Sequence, residues 1–334
     1  MLKTGIIGYG YWGPNLLRNF SANKDCKVLK VADIKQERLE LAKRNYPHIE
    51  VTTNIQDIMN DKEIDAISIA TPVDLHYEIA KSALEKGKHV WIEKPFTSTS
   101  KQAIELIELA EKKNLLIFVD HTFIYTGAVR KIKEIVEKNE LGDIIYFDSV
   151  RINLGLFQRD VNVIWDLAPH DLSIMDYVLN KKVRAVCANG IANYYQYENI
   201  AHISVYFEEN CFANFHVNWT SPVKIRKMII GGNKKMLVFD DLENFEKIKI
   251  YDAGIEVKNQ NDIYKMLVDY RTGDMYSPKV NQMEALALGV QEFLESIKEN
   301  RKPLTSGEEG LKVVKILEAA EQSIKEKGKH IEIN

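Results

Sequence analysis

In NVIWDLAPHDLSIMDYVL, Asp166 and His170 stand four residues apart. That spacing puts both side chains on one face if the segment is helical. A carboxylate beside an imidazole fixes its tautomer and stabilises the imidazolium, which is what a general base needs. Plainer readings fit the same residues: Asp166 as a helix cap, with Asp171 competing for that place, and His170 as a core histidine satisfied by Asp166. Near the start of the chain, GIIGYGYWGPNLL carries Gly8, Gly10 and Gly13 as Gly-x-Gly-x-x-Gly between an apolar run and a helical pattern. In that setting the first glycine permits a tight turn, the second lets a pyrophosphate approach the backbone, and the third lets helix and strand pack closely. The free N–H groups at the helix start then face the phosphates. Asp33, at the end of the second apolar run, is placed to bind the ribose hydroxyls of NAD and to repel the 2′-phosphate of NADP. Lys35 and Arg38 soften that preference, so NAD is the expected cofactor and NADP the second choice. Tyr11 and Trp12, inside the turn, join the expected cofactor-binding residues; local packing is the other reading of Trp12.

Two later loops extend this set. IATPVDLHYEIA ends a strand at Thr71 and Pro72, with His76 one turn into the next helix, and VWIEKPF ends another strand at Glu93, Lys94 and Pro95. Ligands of open parallel sheets sit beyond the strand carboxyl ends, so Thr71, Pro72, His76, Glu93 and Lys94 should overlook the cofactor. A lysine close to NAD⁺ has its charged form disfavoured by like charge and by desolvation, which moves it towards proton transfer at neutral pH. A solvated loop lysine is the alternative. Upstream of Asp166, VRINLGLFQRDVNV offers Asn153, Gln158 and Arg159 to hold a sugar or a phosphate, the arginine through its planar fork. An ordinary surface loop explains them equally well. Asp120, His121 and Tyr125 give a weaker pocket signal. Tyr194, Tyr195 and Tyr197 either stack on a sugar or base, or cover a sheet face or subunit contact.

GYGYWG, ATPVDLH and EKP, in this order and spacing, resemble the glucose–fructose oxidoreductase/inositol dehydrogenase (Gfo/Idh/MocA) family. The similarity spans nearly the whole chain and includes FLESIKENRKPLTSGEEGLKVVKILEAAEQS near its end. It implies a Rossmann domain followed by an open-faced sheet used for oligomer contacts, and it puts Lys94 beside the nicotinamide and the substrate. It also implies that the histidine of the Asp-x-x-x-His element, His170 here, contacts the hydroxyl being oxidised. On this reading His170, oriented by Asp166, takes the proton, hydride passes to the nicotinamide, and Lys94 hydrogen-bonds the same oxygen. Lys94, Asn153, Gln158, Arg159, Asp166 and His170 form the expected substrate-binding set. An ammonium and an imidazole from separate halves of the chain are expected to converge. NLGLFQRDVNVIWDLAPHDLSI is most similar to members that oxidise C3 of UDP-N-acetylglucosamine or its uronic acid, with Arg159 meeting the diphosphate. The alternatives are an inositol or free-sugar dehydrogenase, a keto-sugar reductase, and a silent NAD-binding regulator, which would have no need of Lys94 or His170.

The elements that must position these residues are an α/β set followed by an α+β set. Strands at LKTGIIG, CKVLKVAD, IDAISIAT, KHVWIEKP and LLIFVDH alternate with helical patterns, which predicts a doubly wound parallel sheet covered on both faces. Asp74 is the expected cap of the helix in DLHYEIAKSALEKG, and Gly87 its stop. Pro169 suits the first turn of the helix carrying His170. Beyond about residue 125, AHISVYF and CFANFHVNW form a hairpin around EEN, and Gly231-Gly232-Asn233 marks a second one. Two helices close the chain. The expected division is residues 1–122, binding NAD, and 123–334, binding substrate within a mostly antiparallel sheet.

Composition limits the partners. The 334 residues are 45% hydrophobic and 28% charged, with net charge 45 − 48 = −3 and no basic tract for nucleic acid. No apolar run reaches membrane-spanning length, and the N-terminus lacks a signal-peptide pattern. Cys26, Cys187 and Cys211, odd in number and far apart, fit a reduced compartment, and no His-x-x-x-His pair supports a metal. The expectation is a cytoplasmic homo-dimer or homo-tetramer with a small-molecule substrate and no metal.

Overall fold

The computed structural model describes residues 1–155, 157, 161–194, 196–256 and 269–333. It divides into two compact units, Met1–Tyr125 with Met283–Glu318 and Thr126–Gln282 with Ala319–Asn334.

In the first unit the parallel sheet is built from β1 (Leu2–Ile7), β2 (Cys26–Ala32), β3 (Glu50–Thr52), β4 (Ala66–Ile69), β5 (His89–Glu93) and β6 (Ile117–Asp120). Their order is β3-β2-β1-β4-β5-β6, so the chain runs outward one way from β1 and then reverses to continue from β4. Every pairing is parallel. The helices between them are α1 (Gly13–Ala22), α2 (Gln36–Asn45), the short α3 (Gln56–Met59), α4 (His76–Glu85) and α5 (Ser100–Lys113). Central strands read as mostly apolar runs because both faces are covered: all four residues of β4 are buried, Ser68 among them. Helix α1 has proline in its first turn and buries Leu16, Leu17 and Phe20. Asp74 does not cap α4. Val73–Leu75 first makes a tighter 3₁₀ turn, so the helix starts at His76 with no side-chain cap. Gly87, at φ +78°, sits just past its end, where a left-handed residue is needed.

The second unit holds α6 (Gly127–Glu137), β7 (Ile144–Leu154), α7 (Val163–Leu179), β8 (Val183–Ile191), β9 (Ile200–Phe207), β10 (Phe212–Asn218), β11 (Thr220–Gly232), β12 (Met236–Asp240), β13 (Ile248–Tyr251), β14 (Gly254–Glu256), β15 (Asp269–Arg271) and β16 (Met275–Tyr276). Helices α8 (Ala285–Glu299) and α9 (Gly307–Lys325) and strand β17 (Ile331–Glu332) follow. A nine-stranded sheet runs β16-β13-β12-β11-β7-β10-β9-β8-β17. Among the described residues only β7 and β10 pair in parallel within it, so it is mostly antiparallel. Strand β9 alternates buried Ala201, Ile203, Val205 and Phe207 with more open residues, the pattern of a sheet with one face packed. Helix α7 covers that packed face. A buried pair pins it there: Asp171 Oδ1 accepts from Arg151 Nε at 2.9 Å and Nη2 at 2.5 Å, and Oδ2 accepts from Ser149 Oγ at 2.8 Å.

Met283–Glu318 groups with the first unit although it lies late in the chain. The reason is aromatic packing: Phe293 of α8 stands 6.2 Å from Phe20 and 5.7 Å from both Trp91 and Phe118, ring centre to ring centre. The segment expected as one domain, 123–334, therefore supplies a piece of the first unit.

Candidate active site

In the first unit the candidate residues gather at the carboxyl edge of the parallel sheet. Gly8 has φ +97°, and a Cβ there would stand 2.3 Å from Ala70 O; a Cβ on Gly13 would stand 2.4 Å from Gly8 O. Both positions exclude any side chain. A Cβ on Gly10 would meet nothing closer than Arg38 Nη1 at 3.6 Å. Packing within the protein does not itself require glycine at position 10, and the space over the turn is open to an approaching group. That is the fit expected for a dinucleotide pyrophosphate. Tyr11 is 91% exposed on the turn. Trp12 precedes α1 and turns inward, its Nε1 donating to Asp120 Oδ2 at 3.3 Å.

Asp33 is buried, and its carboxylate is busy. Oδ2 accepts from Tyr9 N at 2.7 Å and Oδ1 from Lys35 N at 2.9 Å, tying the glycine turn to the start of α2. Arg38 Nη1 lies 3.2 Å from Oδ2, so a guanidinium faces the acid on its outer side. The acid and its counter-ion together set the charge that a ribose 2′-position would meet.

His76 is 1% exposed. Its Nδ1 lies 2.9 Å from Pro95 O and its Nε2 2.9 Å from Thr71 O, so the ring bridges the Thr71–Pro72 loop and the Lys94–Pro95 loop. Burial pushes its pKa down, partly opposed by those carbonyls. A neutral imidazole has one N–H, so the ring donates to one of the two carbonyls and packs against the other. Glu93 and Asp120 end adjacent strands as register partners. Burial raises the pKa of each. His121 beside them is fully buried, and burial with the neighbouring Lys94 charge pushes its pKa down to about 3.

In the second unit α7 carries Asp166 and His170. The helix begins at Val163, capped by Asn162, whose Oδ1 accepts from Ile164 N at 3.1 Å and Trp165 N at 3.2 Å. Pro169 is thus inside the helix rather than in its first turn, and neither Asp166 nor Asp171 caps it. Proline has no N–H to give to the preceding turn, so the ladder is interrupted one residue before His170. Asp166 Oδ2 accepts the indole N–H of Trp219 at 3.0 Å. The Trp219 ring is buried and lines a cavity of about 420 Å³ with Leu154, Gly155, Phe157, Tyr194 and Thr220. Phe157 lies 5.6 Å from Trp219 and 6.1 Å from Tyr194 between ring centres. Gly155 is required here, because a Cβ would come within 2.5 Å of the Trp219 ring. Asn153 is half-buried on β7. Gln158, Arg159 and Tyr195 lie outside the described residues.

Sequence reasoning did not find Trp219, Asn162 or the Arg151–Asp171 pair. A polar residue just before an apolar helical run was the available signal for Asn162. The three cysteines are free thiols. Among the described residues no group of three or more His, Cys, Asp or Glu is placed to hold a metal, and no helix is long and apolar enough to cross a membrane.

Residues 2–121 match the oxidoreductase family, NAD-binding Rossmann fold, and residues 129–238 match the Gfo/Idh/MocA C-terminal domain. A UDP-N-acetylglucosamine 3-dehydrogenase from Acidithiobacillus ferrooxidans is 26% identical over 94% of this chain and 94% of its own. A scyllo-inositol 2-dehydrogenase (NADP(+)) from Bacillus subtilis is 26% identical over 98% of this chain and 94% of its own. Among solved structures, the Acidithiobacillus enzyme superposes with a TM-score of 0.81 at 22% identity, covering 97% of this chain and 98% of that one.

Proposed function

Since the chain belongs to the Gfo/Idh/MocA family of oxidoreductases, we propose that it oxidises a secondary alcohol of a sugar with NAD, at C3 of a UDP-N-acetylhexosamine or its uronic acid. NAD, when bound, supplies the hydride acceptor. Gly8, Gly10 and Gly13 bind its pyrophosphate, Asp33 its ribose, and Thr71, Pro72 and Glu93 border its nicotinamide end. Lys94 hydrogen-bonds the substrate oxygen and stabilises the negative charge that develops there. His170 removes the hydroxyl proton, and Asp166, held by Trp219, stabilises the resulting imidazolium. The observation that carries the reading is the bare Gly10 above a turn that Gly8 and Gly13 fix by sterics.

The sugar assignment is supported by the aromatic cavity beside Asp166, whose size suits a small ligand and whose rings stack on the apolar face of a sugar or on a base. Asn153, Gln158 and Arg159 are proposed for the polar and diphosphate parts of the substrate. A relative whose name gives it C3 of UDP-N-acetylglucosamine supports the same class. A second reading, an NADP-dependent inositol dehydrogenase, is favoured by Arg38 over Asp33 and by the scyllo-inositol relative. Reduction of NAD⁺ and NADP⁺, followed by absorbance across UDP-sugars, free sugars and inositols, decides between them. Turnover with UDP-N-acetylhexosamines and NAD⁺ is expected; turnover confined to inositols and NADP⁺ would replace this reading with the second.

A further inference from the structure

Glu93 and Asp120 are register partners at the ends of β5 and β6, and their carboxyl groups come within reach of a shared hydrogen bond. Two carboxylates have no hydrogen to share, so one of the pair must carry a proton. The surroundings identify which. Asp120, 1% exposed, already accepts from Thr122 Oγ1 at 2.7 Å and from Trp12 Nε1 at 3.3 Å. Among the described residues Asp120 receives two side-chain donors where Glu93 receives only the backbone N–H of Lys94, so Asp120 is the ionised group and Glu93 the acid that donates to it. Glu93 Oε1 is shut off from solvent without a hydrogen-bond partner among the described residues. A neutral carbonyl oxygen bears that far better than a carboxylate does. The charged group acting on the pair is Lys94, which follows Glu93 in the chain; His121, next to Asp120, is kept neutral by burial.

We propose that Glu93 and Asp120 hold one proton between them and act as a positioning pair, tying the glycine turn, through Trp12, to the loop that bears Lys94. The pair then presents a single negative charge beside the ammonium. When alkali removes the shared proton, two like charges repel, the bond between β5 and β6 opens, and Trp12 and Lys94 are displaced together. Cofactor affinity and turnover fall along one alkaline limb. That consequence rests on the proposed role of Lys94; the shared proton does not.

Isosteric variants test this. Glu93→Gln keeps a donor towards Asp120. Asp120→Asn turns the donor round and leaves the charge on Glu93. Each single variant keeps one negative charge, and the double variant has none. An infrared difference spectrum at neutral pH, wild type minus variant, should show a protonated carboxyl C=O stretch, shifted in D₂O and lost in either single variant. Glu93→Gln should lose the alkaline limb of both turnover and NAD affinity. The double variant should retain its circular dichroism but lose turnover by about tenfold or more. A wild-type spectrum without the band overturns the shared proton. A band accompanied by an unchanged alkaline limb in Glu93→Gln overturns the positioning role. If the band behaves as stated while Lys94→Ala stays active, the role of Lys94 fails and the pair stands.

Discussion

Gly10→Ala and Gly8→Ala should separate cofactor binding from folding. The backbone at Gly10 is outside the left-handed region, and a Cβ there reaches only ordinary contact with Arg38, at 3.6 Å. The unliganded protein therefore accepts alanine with a stability change within about 0.5 kcal/mol. If the pyrophosphate approaches that position, the methyl overpacks the complex alone. An overpacking cost of about 1–3 kcal/mol would weaken NAD binding roughly 5- to 150-fold. Gly8→Ala does the opposite, since its Cβ would lie 2.3 Å from a backbone oxygen at φ +97°. A left-handed alanine costs about 1–2 kcal/mol and the clash about 1–3 kcal/mol more, together a large share of a typical stability of about 5–15 kcal/mol. Titration calorimetry with NAD⁺ and thermal unfolding of each variant measure the two effects. A Gly10→Ala protein that binds NAD⁺ as tightly as wild type, or that loses affinity only as it loses stability, would refute the assignment of this turn to the cofactor.

Lys94→Ala and His170→Ala should each lower kcat by about 10²–10⁴-fold while thermal stability holds, checked by steady-state kinetics on the true substrate. Arg38→Ala uncovers the Asp33 carboxylate and should move the NAD⁺ to NADP⁺ ratio of kcat/KM about tenfold or more towards NAD⁺; an unchanged ratio removes Arg38 from cofactor selection. Asp171→Ala removes the carboxylate facing the buried Arg151 guanidinium and should cost about 3–5 kcal/mol in chemical denaturation, whereas replacing both with apolar residues should cost much less. His121 has its folded pKa pushed from 6.5 to about 3, so the unfolded chain binds the extra proton between those values. Its contribution to stability is present above pH 6.5 and is lost as pH falls towards about 3, at up to about 1.4 kcal/mol per pH unit. His121→Asn should flatten the acid side of the stability profile by that amount.

The parallel sheet and the glycine turn were legible because their signals are local. AISI reads as a central strand because three of its four residues are apolar and all four are buried, and Gly8, Gly10 and Gly13 mark where backbone can come close. Asp33 was found by its spacing, but its pairing with Arg38 depends on how α2 leaves the strand. Pro169 reads as a first-turn residue because its missing N–H costs least there. The helix instead starts at Val163, where Asn162 supplies the cap and the apolar run carries through the proline. The stripe of α8 shows that one face is buried but not against what; only the meeting of Phe293 with Phe20 and Trp91 assigns it to the first unit. Arg151 and Asp171 read as ordinary charges because a strand and a helix must be brought together before they become a buried pair. His76 was legible as a loop residue, while its bridging role lies in two backbone carbonyls that no side-chain pattern reveals.

The most direct test is a crystal structure with NAD⁺ and a UDP-N-acetylhexosamine bound. The C3 hydroxyl oxygen is expected within hydrogen-bond reach of both Lys94 Nζ and the His170 imidazole, with its carbon over the nicotinamide. A substrate oxygen held by only one of them, or side chains opening into separate cavities, would contradict it.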